Sequence, residues 1–202
     1  RDLHRLIRRQ RQMCIRDRYT RGFRYLRREL TSVLSLEFED NEVFTEELKR
    51  NIKKAIRSGI MVLENRDFEN YYEILKNNLK MRHNVTPTHT LQELTLLNKL
   101  FPLKIRLFAA YLKTKMVGGI VLFVCNERAV LAFYISHNEK YQEYRVVDLL
   151  ISEVIRWCRI KGFKYLDFGT FTLNMNPNFG LGKFKEKFGA KGIFRDTFYL
   201  NL

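Results

Sequence analysis

The segment GLGKFKEKFGA, residues 180–190, decides how the rest of the chain is interpreted. Its lysines alternate with phenylalanines and a glycine follows them, so residues 181–189 are predicted to form a short helix that ends at a glycine. A lysine on such a helix is either a solvated surface charge or a cation placed for chemistry. Lys185, beside Phe184, is the candidate for the second role. A final strand is predicted at residues 193–200.

Upstream of this segment, helical and strand-like patterns alternate. Three strand-like runs, at residues 104–112, 116–125 and 129–136, are joined by connectors short enough for hairpins. A long amphipathic helix follows them and leads to the strand KYLDFG, residues 164–169. Meandering strands followed by a crossover helix predict an α/β fold, with a mixed central sheet flanked by helices.

Three helices are predicted before the meander. The first, at residues 43–59, is amphipathic and leads into a short strand at residues 60–65. Asp67 is predicted to cap the N-terminus of the second helix. Thr90 and Glu93 have the spacing of a capping box for the third.

This order of elements resembles the GNAT acyltransferase fold, and four stretches are similar to its FemAB branch. They are RNIKKAIRSGI (50–60), TPTHTLQELTLL (86–97), YLDFGTF (165–171) and GLGKFKEKFGA. FemAB-type enzymes carry two GNAT-like domains in tandem and transfer amino acids from aminoacyl-tRNA to a peptidoglycan precursor. The resemblance implies an N-acyltransferase that acts on an amine of a cell-envelope precursor or saccharide.

The resemblance also predicts how the chain divides. Residues 43–202 match the C-terminal GNAT-like domain of a tandem, and residues 19–42 are predicted to be a remnant of the preceding domain. Residues 1–18 have another origin, because RDLH and RRQRQMCIRD back-translate into parts of a transposase-based short-read sequencing adapter. The three residues between them fit the adapter's sample index. We therefore expect residues 1–18 to be translated adapter sequence rather than natural protein.

The charge of the chain suits an anionic partner. The formal net charge is +15, and leaving out the seven arginines and two aspartates of residues 1–18 reduces it to +10. One face of the helix predicted at residues 43–59 is basic. Its cations are Lys49, Arg50, Lys53, Lys54 and Arg57. That face is either simply solvated or, by the resemblance, a contact for tRNA or nucleotide-sugar phosphates.

The cysteines indicate the cellular setting. Cys125 and Cys158 are far apart and have no histidine at ligand spacing, so we expect neither a disulfide framework nor a metal site. This usage fits a reducing, cytoplasmic compartment. No apolar run approaches the ~20 residues of a membrane-spanning helix.

The acyl donor is expected to differ from that of ordinary GNAT enzymes, which hold the coenzyme A pyrophosphate on backbone N–H groups in a glycine-rich helix start. The matching loop here, residues 135–150, contains no glycine, although Arg145 could contact a phosphate. We therefore expect aminoacyl-tRNA as the donor. An acetyltransferase that uses coenzyme A or a carrier thioester is the alternative. Two non-enzymatic alternatives are a half-domain that binds tRNA or a partner chain, and a plain nucleic-acid-binding module.

The resemblance implies roles for Lys185 and Tyr134 near the predicted cleft, and side-chain chemistry suggests one for His89. Lys185 is the lysine expected to stabilise the oxyanion that develops in acyl transfer, with Phe184 and Phe188 beside the substrate. Tyr134 either orients the acceptor amine and passes a proton or packs as a half-buried strand residue. His89 is either a general base or a structural hydrogen-bond donor that pins its loop.

Two further candidates, Asp167 and Gly169, end the predicted strand at residues 164–169. The C-terminal edge of that strand is expected to face the cleft. Asp167 there either binds an amine or caps the turn that follows.

Overall fold

Helices and strands alternate through residues 15–201, the part of the chain that this computed structural model describes. The helices are α1 (Ile15–Thr20), α2 (Asp40–Val43), α3 (Glu46–Arg57), α4 (Phe68–His83), α5 (Leu91–Leu100), α6 (Val146–Ile160) and α7 (Phe179–Glu186). The strands are β1 (Arg24–Ser35), β2 (Ile60–Asn65), β3 (Ile105–Leu112), β4 (Lys115–Val124), β5 (Ala129–His137), β6 (Tyr165–Thr170), β7 (Thr172–Leu173), β8 (Asn176–Pro177) and β9 (Lys191–Tyr199). A 3₁₀ turn, Glu139–Tyr144, links β5 to α6.

Seven of the described strands form one sheet, in the order β2-β3-β4-β5-β6-β1-β9, while β7 and β8 pair separately. Neighbouring strands of the sheet are antiparallel except for β5 and β6, which are parallel. The α6 helix makes the crossover between these two parallel strands. This topology confirms the predicted mixed α/β sheet flanked by helices.

The hydrophobic core has two parts, one on each face of the sheet. On the α6 face, Leu48 of α3 and Leu150 of α6 are fully buried. On the α4 face, Tyr71 and Leu75 of α4 pack with Leu94 of α5. Each such side chain contributes about 1.5–3 kcal/mol of transfer free energy on burial. These buried apolar side chains are therefore what holds the helices against the sheet.

Helix starts occur where the capping residues predict them. The Asp67 side chain accepts a hydrogen bond from the backbone N–H of Asn70, at the start of α4. Thr90 accepts one from the N–H of Glu93, whose carboxylate accepts one in return from the N–H of Thr90. The capping box predicted for α5 is thus complete.

Strand β1 lies inside the sheet, between β6 and β9. It begins at Arg24, six residues earlier than predicted, and its Leu34 is buried in the core of the α6 face. The strand predicted to be a remnant of a preceding domain is therefore part of the same sheet as the 43–202 domain, and its origin stays a prediction. Residues 1–14 of the predicted adapter lie outside the described residues.

A one-residue bulge in β5 changes the direction of its side chains. Val121 of β4 is opposite Tyr134, whereas the next residue, Leu122, is opposite Ala132, so Phe133 is the extra residue. Ala132 faces α6, and strict alternation would send Tyr134 to that same face. Because of the bulge, Tyr134 and Phe133 both belong to the cluster on the α4 face.

We expect Gly119→Ala to destabilise the fold by about 1–3 kcal/mol, the usual cost of an overpacked core. An added Cβ at Gly119 would lie 2.6 Å from the ring of Tyr71 and 3.0 Å from the carbonyl oxygen of Phe108. Tyr71 cannot retreat easily, because it is fully buried and its hydroxyl donates to the carbonyl of Tyr134. Urea denaturation measures the change in the free energy of unfolding.

The matched control is Gly180→Ala in α7, where the nearest atom to an added Cβ is 3.4 Å away. Alanine favours a helix over glycine, so this variant should be neutral or slightly more stable. Equal stabilities of the two variants would contradict the close packing of Tyr71 on β4.

Candidate functional site

Strands β5 and β6 separate after a short stretch of pairing, and this separation forms the candidate site. They pair only through residues 129–131 of β5 and 165–167 of β6, so the C-terminal halves of both strands splay apart. The Lys185 ammonium lies at the β6 side of the opening. Its Nζ donates to the carbonyl oxygen of Gly169 at 2.8 Å and to that of Thr170 at 3.0 Å.

Lys185 is almost completely buried, with 3% of its surface exposed. Burial penalises the charged form and lowers the pKa of Lys185 to about 8, although the nearby Asp167 carboxylate acts in the opposite direction. The surface-charge interpretation of this lysine is therefore excluded. Two interpretations are left: a structural cation that binds two carbonyls, and a cation available to a substrate.

Asp167 stabilises the turn at the end of β6. Its Oδ1 accepts hydrogen bonds from the Thr31 hydroxyl at 2.6 Å and from the N–H of Gly169 at 2.7 Å. Gly169 has a positive φ of 73°, a conformation that glycine adopts without strain. The carboxylate thus caps this turn, which is one of its two predicted roles. Amine binding by Asp167 stays a prediction.

Tyr134 and His89, singled out separately in the sequence, contact each other across the α4 face. The Tyr134 hydroxyl lies 3.1 Å from Nδ1 of His89 and accepts the His89 backbone N–H at 3.2 Å. The Tyr72 hydroxyl donates to the His89 carbonyl, which fixes the loop further. Phe133 and Phe123 stack on each other beside the imidazole. The bulge in β5 is what brings Tyr134 to this histidine.

The two phenylalanines predicted to lie beside the substrate differ in their surroundings. Phe188 is fully buried and packs on Phe44 and Phe168. The structure therefore corrects its predicted substrate contact, because no substrate could reach this side chain without opening the core. Phe184 is only partly buried, and the Lys187 ammonium lies 4.5 Å from the centre of its ring.

A buried ion pair that the sequence does not reveal ties the lysine helix to α6. Lys187 pairs with Asp148 in the first turn of α6, and Asn51 of α3 donates to the same carboxylate at 2.8 Å. Asn51 and Asp148 lie on α3 and α6, and Lys187 directly follows α7, so no spacing in the sequence could have indicated the contact. They fix α7, and with it Lys185, relative to the start of α6.

Arg145 occupies the N-cap position of α6 in the left-handed conformation, with φ 57° and ψ 36°. An arginine therefore makes this left-handed turn without glycine, and contact of Arg145 with a phosphate stays a prediction. Among the described residues, no group accepts from the backbone N–H of Val146 or Val147. These two amides are a potential anion contact, and Arg145, which precedes them in the chain, is exposed.

The basic face of α3 lies next to this helix start. Arg50, Lys53, Lys54 and Arg57 are exposed and form no ion pair with the described residues, whereas Lys49 pairs with Glu46. Asn51, on the same helix, reaches the first turn of α6. Contact of these cations with phosphates stays a prediction. None of the helices within residues 15–201 is long and apolar enough to cross a membrane.

Sequence comparison identifies the family of this chain. The family model of the acetyltransferase (GNAT) domain matches residues 43–185. The chain belongs to the GNAT acetyltransferase family. The splayed parallel strands and the α6 crossover are then the parts of the GNAT fold that surround the site. Among curated proteins, no sequence is significantly similar to this GNAT chain.

Solved structures share the fold of this GNAT domain at low sequence identity. FemX superposes with a TM-score of 0.73 at 11% identity, over 90% of this chain and 67% of FemX. The C-terminal domain of a putative lysylphosphatidylglycerol synthetase from Agrobacterium fabrum gives 0.69 at 12%, over 90% and 62%. L-PGS from Bacillus licheniformis gives 0.65 at 14%, over 91% and 63%. The fold is thus GNAT-type and FemAB-like, and the chain spans about two thirds of each of these proteins.

We expect one lysine to titrate near pH 8 when ¹³Cε-labelled lysines are followed by NMR, and its signal to be absent in Lys185→Met. An unfolded lysine titrates at ~10.4. Between these two pH values the folded chain binds fewer protons than the unfolded chain, so wild type should gain stability relative to Lys185→Met as the pH rises. Urea denaturation across this window measures the gain. If every lysine titrates above pH 10, Lys185 is not desolvated as described.

Proposed function

We propose that this GNAT domain is an N-acyltransferase that transfers an acyl or aminoacyl group to an amine of a cell-envelope precursor or saccharide. The observation that carries the proposal is the position of Lys185 at the end of β6. An ammonium group has three N–H donors, and the carbonyls of Gly169 and Thr170 take two of them. The third has no partner among the described residues and is available to a developing oxyanion.

The chemistry requires no covalent enzyme intermediate. The acceptor amine attacks the acyl carbonyl, an N–C bond forms, and the bond to the donor's oxygen or sulfur breaks. Cysteine is a poor alternative nucleophile among the described residues: burial raises the pKa of the Cys158 thiol to about 12 and that of Cys125 above its ordinary value. A buried cation beside the carbonyl lowers the barrier for direct attack.

The amine must also lose a proton, and His89 with Tyr134 can accept it. When the Nδ1–H tautomer of His89 donates to the Tyr134 hydroxyl, Nε2 is free to act as the base. Tyr134 then orients the imidazole, in the way that a third group orients the base in other acid–base sites. The backbone contacts of His89 keep the ring in place.

The acceptor class is supported by two independent observations. The sequence resembles FemAB-type enzymes, which act on a peptidoglycan precursor. The fold is shared with FemX and with proteins described as lysylphosphatidylglycerol synthetases. Both observations point to a component of the cell envelope as the acceptor.

A coenzyme A donor is the alternative that one specific observation favours. The left-handed Arg145 turn leaves the N–H groups of Val146 and Val147 available at the start of α6. A diphosphate could bind there without a glycine. Aminoacyl-tRNA would instead place phosphates along the basic face of α3.

We expect Lys185→Met to lower the transfer rate by about 10²–10³, the usual loss when one oxyanion donor is removed. The assay pairs amines of envelope precursors and saccharides with aminoacyl-tRNA and acyl-CoA donors. Lys183→Met, on the same short helix, is the control and should retain the wild-type rate, because Lys183 is exposed. Circular dichroism and urea denaturation verify that both variants fold. A folded Lys185→Met variant with unchanged turnover would leave Lys185 a purely structural cation.

If the donor is aminoacyl-tRNA, its affinity should fall linearly as the logarithm of the salt concentration rises. The double variant Lys53→Gln/Lys54→Gln should reduce that slope by about 2, one for each lost phosphate contact. Lys76→Gln/Lys80→Gln on α4 is the matched control, since both lysines are exposed on the other side of the sheet. Fluorescence anisotropy measures the binding. A slope that is the same in both double variants excludes the α3 face as the contact.

A further inference from the structure

A second cleft, of about 650 Å³, lies between α4, the turn joining β3 to β4 and the end of β5. One wall is a single face of α4, including Asn70, Asn77 and Met81. The opposite wall is formed by the β3–β4 turn with Lys115 and by the end of β5 with His137. The volume lies within the range of small-molecule binding sites. The acyl-transfer mechanism proposed above uses none of these residues.

One end of the cleft is a fixed polar network. Asn78 donates to the carbonyl oxygen of His137 at 3.1 Å and to the Glu139 carboxylate at 2.9 Å, and Arg82 pairs with the same carboxylate. These contacts join α4 to the end of β5. Their side chains are therefore held in place before any ligand arrives, which reduces the entropy lost on binding.

This network retains hydrogen-bonding capacity that the described residues do not use. His137 is 9% exposed and its ring nitrogens make no hydrogen bond, their nearest ionic neighbour being Glu139 at 3.9 Å. Asn78 is 8% exposed, and no described group donates to its Oδ1. Buried polar atoms without any partner are absent among the described residues, so these free positions are accessible from the cleft. Buried polar groups normally find partners.

The charges around the cleft balance, which indicates an uncharged ligand. The lining carboxylates of Asp67 and Glu73 are matched by the lining cations Lys115 and Lys140, and Glu139 is neutralised by Arg82, which lies outside the lining. Burial lowers the pKa of His137, so this ring is neutral at pH 7. An anion or a cation would therefore find no excess of opposite charge here.

The remaining lining combines side-chain amides with an apolar floor. The Asn77 amide offers donors and an acceptor, and the Asn70 amide, which donates one N–H to Asp67 at 2.8 Å, retains one donor and its oxygen. Ile74, Met81 and Met116 provide apolar surface. Vicinal hydroxyl groups need donors and acceptors in close alternation, and the C–H face of a sugar ring packs on apolar groups. We propose that this cleft binds a neutral saccharide, such as an N-acetylated hexosamine unit.

The test is NMR titration of the full chain with N-acetylglucosamine and its β-1,4-linked dimer, without any acyl donor. Because no transfer step is involved, the result is independent of the proposed reaction. Saturable shifts of the His137 imidazole and of the Asn78 side-chain amide are expected. Glucosamine, glucuronate and inorganic phosphate are the charged comparisons and should give weaker shifts or none.

Two tryptophan variants locate the binding. Met81→Trp places a bulky ring in the cleft at a position that is 71% exposed, so the fold should tolerate it. It is expected to weaken saccharide binding by about ten-fold or more. Leu96→Trp on α5, exposed and outside the cleft lining, is the control and should bind like wild type.

Several outcomes would overturn the proposal. They are the absence of saturable shifts with both neutral sugars, unchanged affinity in Met81→Trp, and stronger binding of glucuronate or phosphate than of the neutral sugars. The last outcome would identify an anion site. Because Asn78 and Glu139 join α4 to β5, substitutions there would confuse loss of binding with loss of fold, and Met81→Trp avoids this problem.

Discussion

The candidate site depends on a strand pair that stops early. After residues 129–131 and 165–167, β5 and β6 are no longer hydrogen bonded, and the carbonyls of Gly169 and Thr170 need another donor. Lys185 is that donor, so α7 must lie where its lysine reaches the end of β6. The same helix then brings Lys187 to Asp148 at the start of α6. Two carbonyl groups left without a strand partner at the end of β6 thereby fix α7 against the sheet and against the start of α6.

Local rules were enough to predict much of the fold. The caps at Asp67 and Thr90 act through neighbouring backbone groups, and short connectors force the meander into hairpins. These local rules do not predict which distant strands lie next to each other in the sheet. Strand β1 inserts between β6 and β9 because its apolar residues complete the core of the α6 face, a contact between distant parts of the chain. No pattern within residues 24–35 indicates that β6 and β9 are its neighbouring strands.

The sequence was enough to predict which residues belong to the candidate site, but not which of them contact each other. Lys185, His89 and Tyr134 were each recognisable from motif or position, yet the histidine–tyrosine contact depends on a bulge that no sequence pattern marks. Phe188 was misjudged because spacing along a short helix does not distinguish its buried side. The left-handed turn at Arg145 was not predicted either, because glycine is the usual residue in such a turn, but tertiary contacts can hold another residue there.

The extra residue at Phe133 has a consequence for how such proteins diverge. Losing that single codon would place the tyrosine directly after Ala132, where regular alternation still turns the phenol to the α4 face, opposite Val121 and toward its histidine. The strand would still be apolar and would still pair with β4. Descendants could therefore lose the extra residue in one step and keep both the architecture and this side-chain pair.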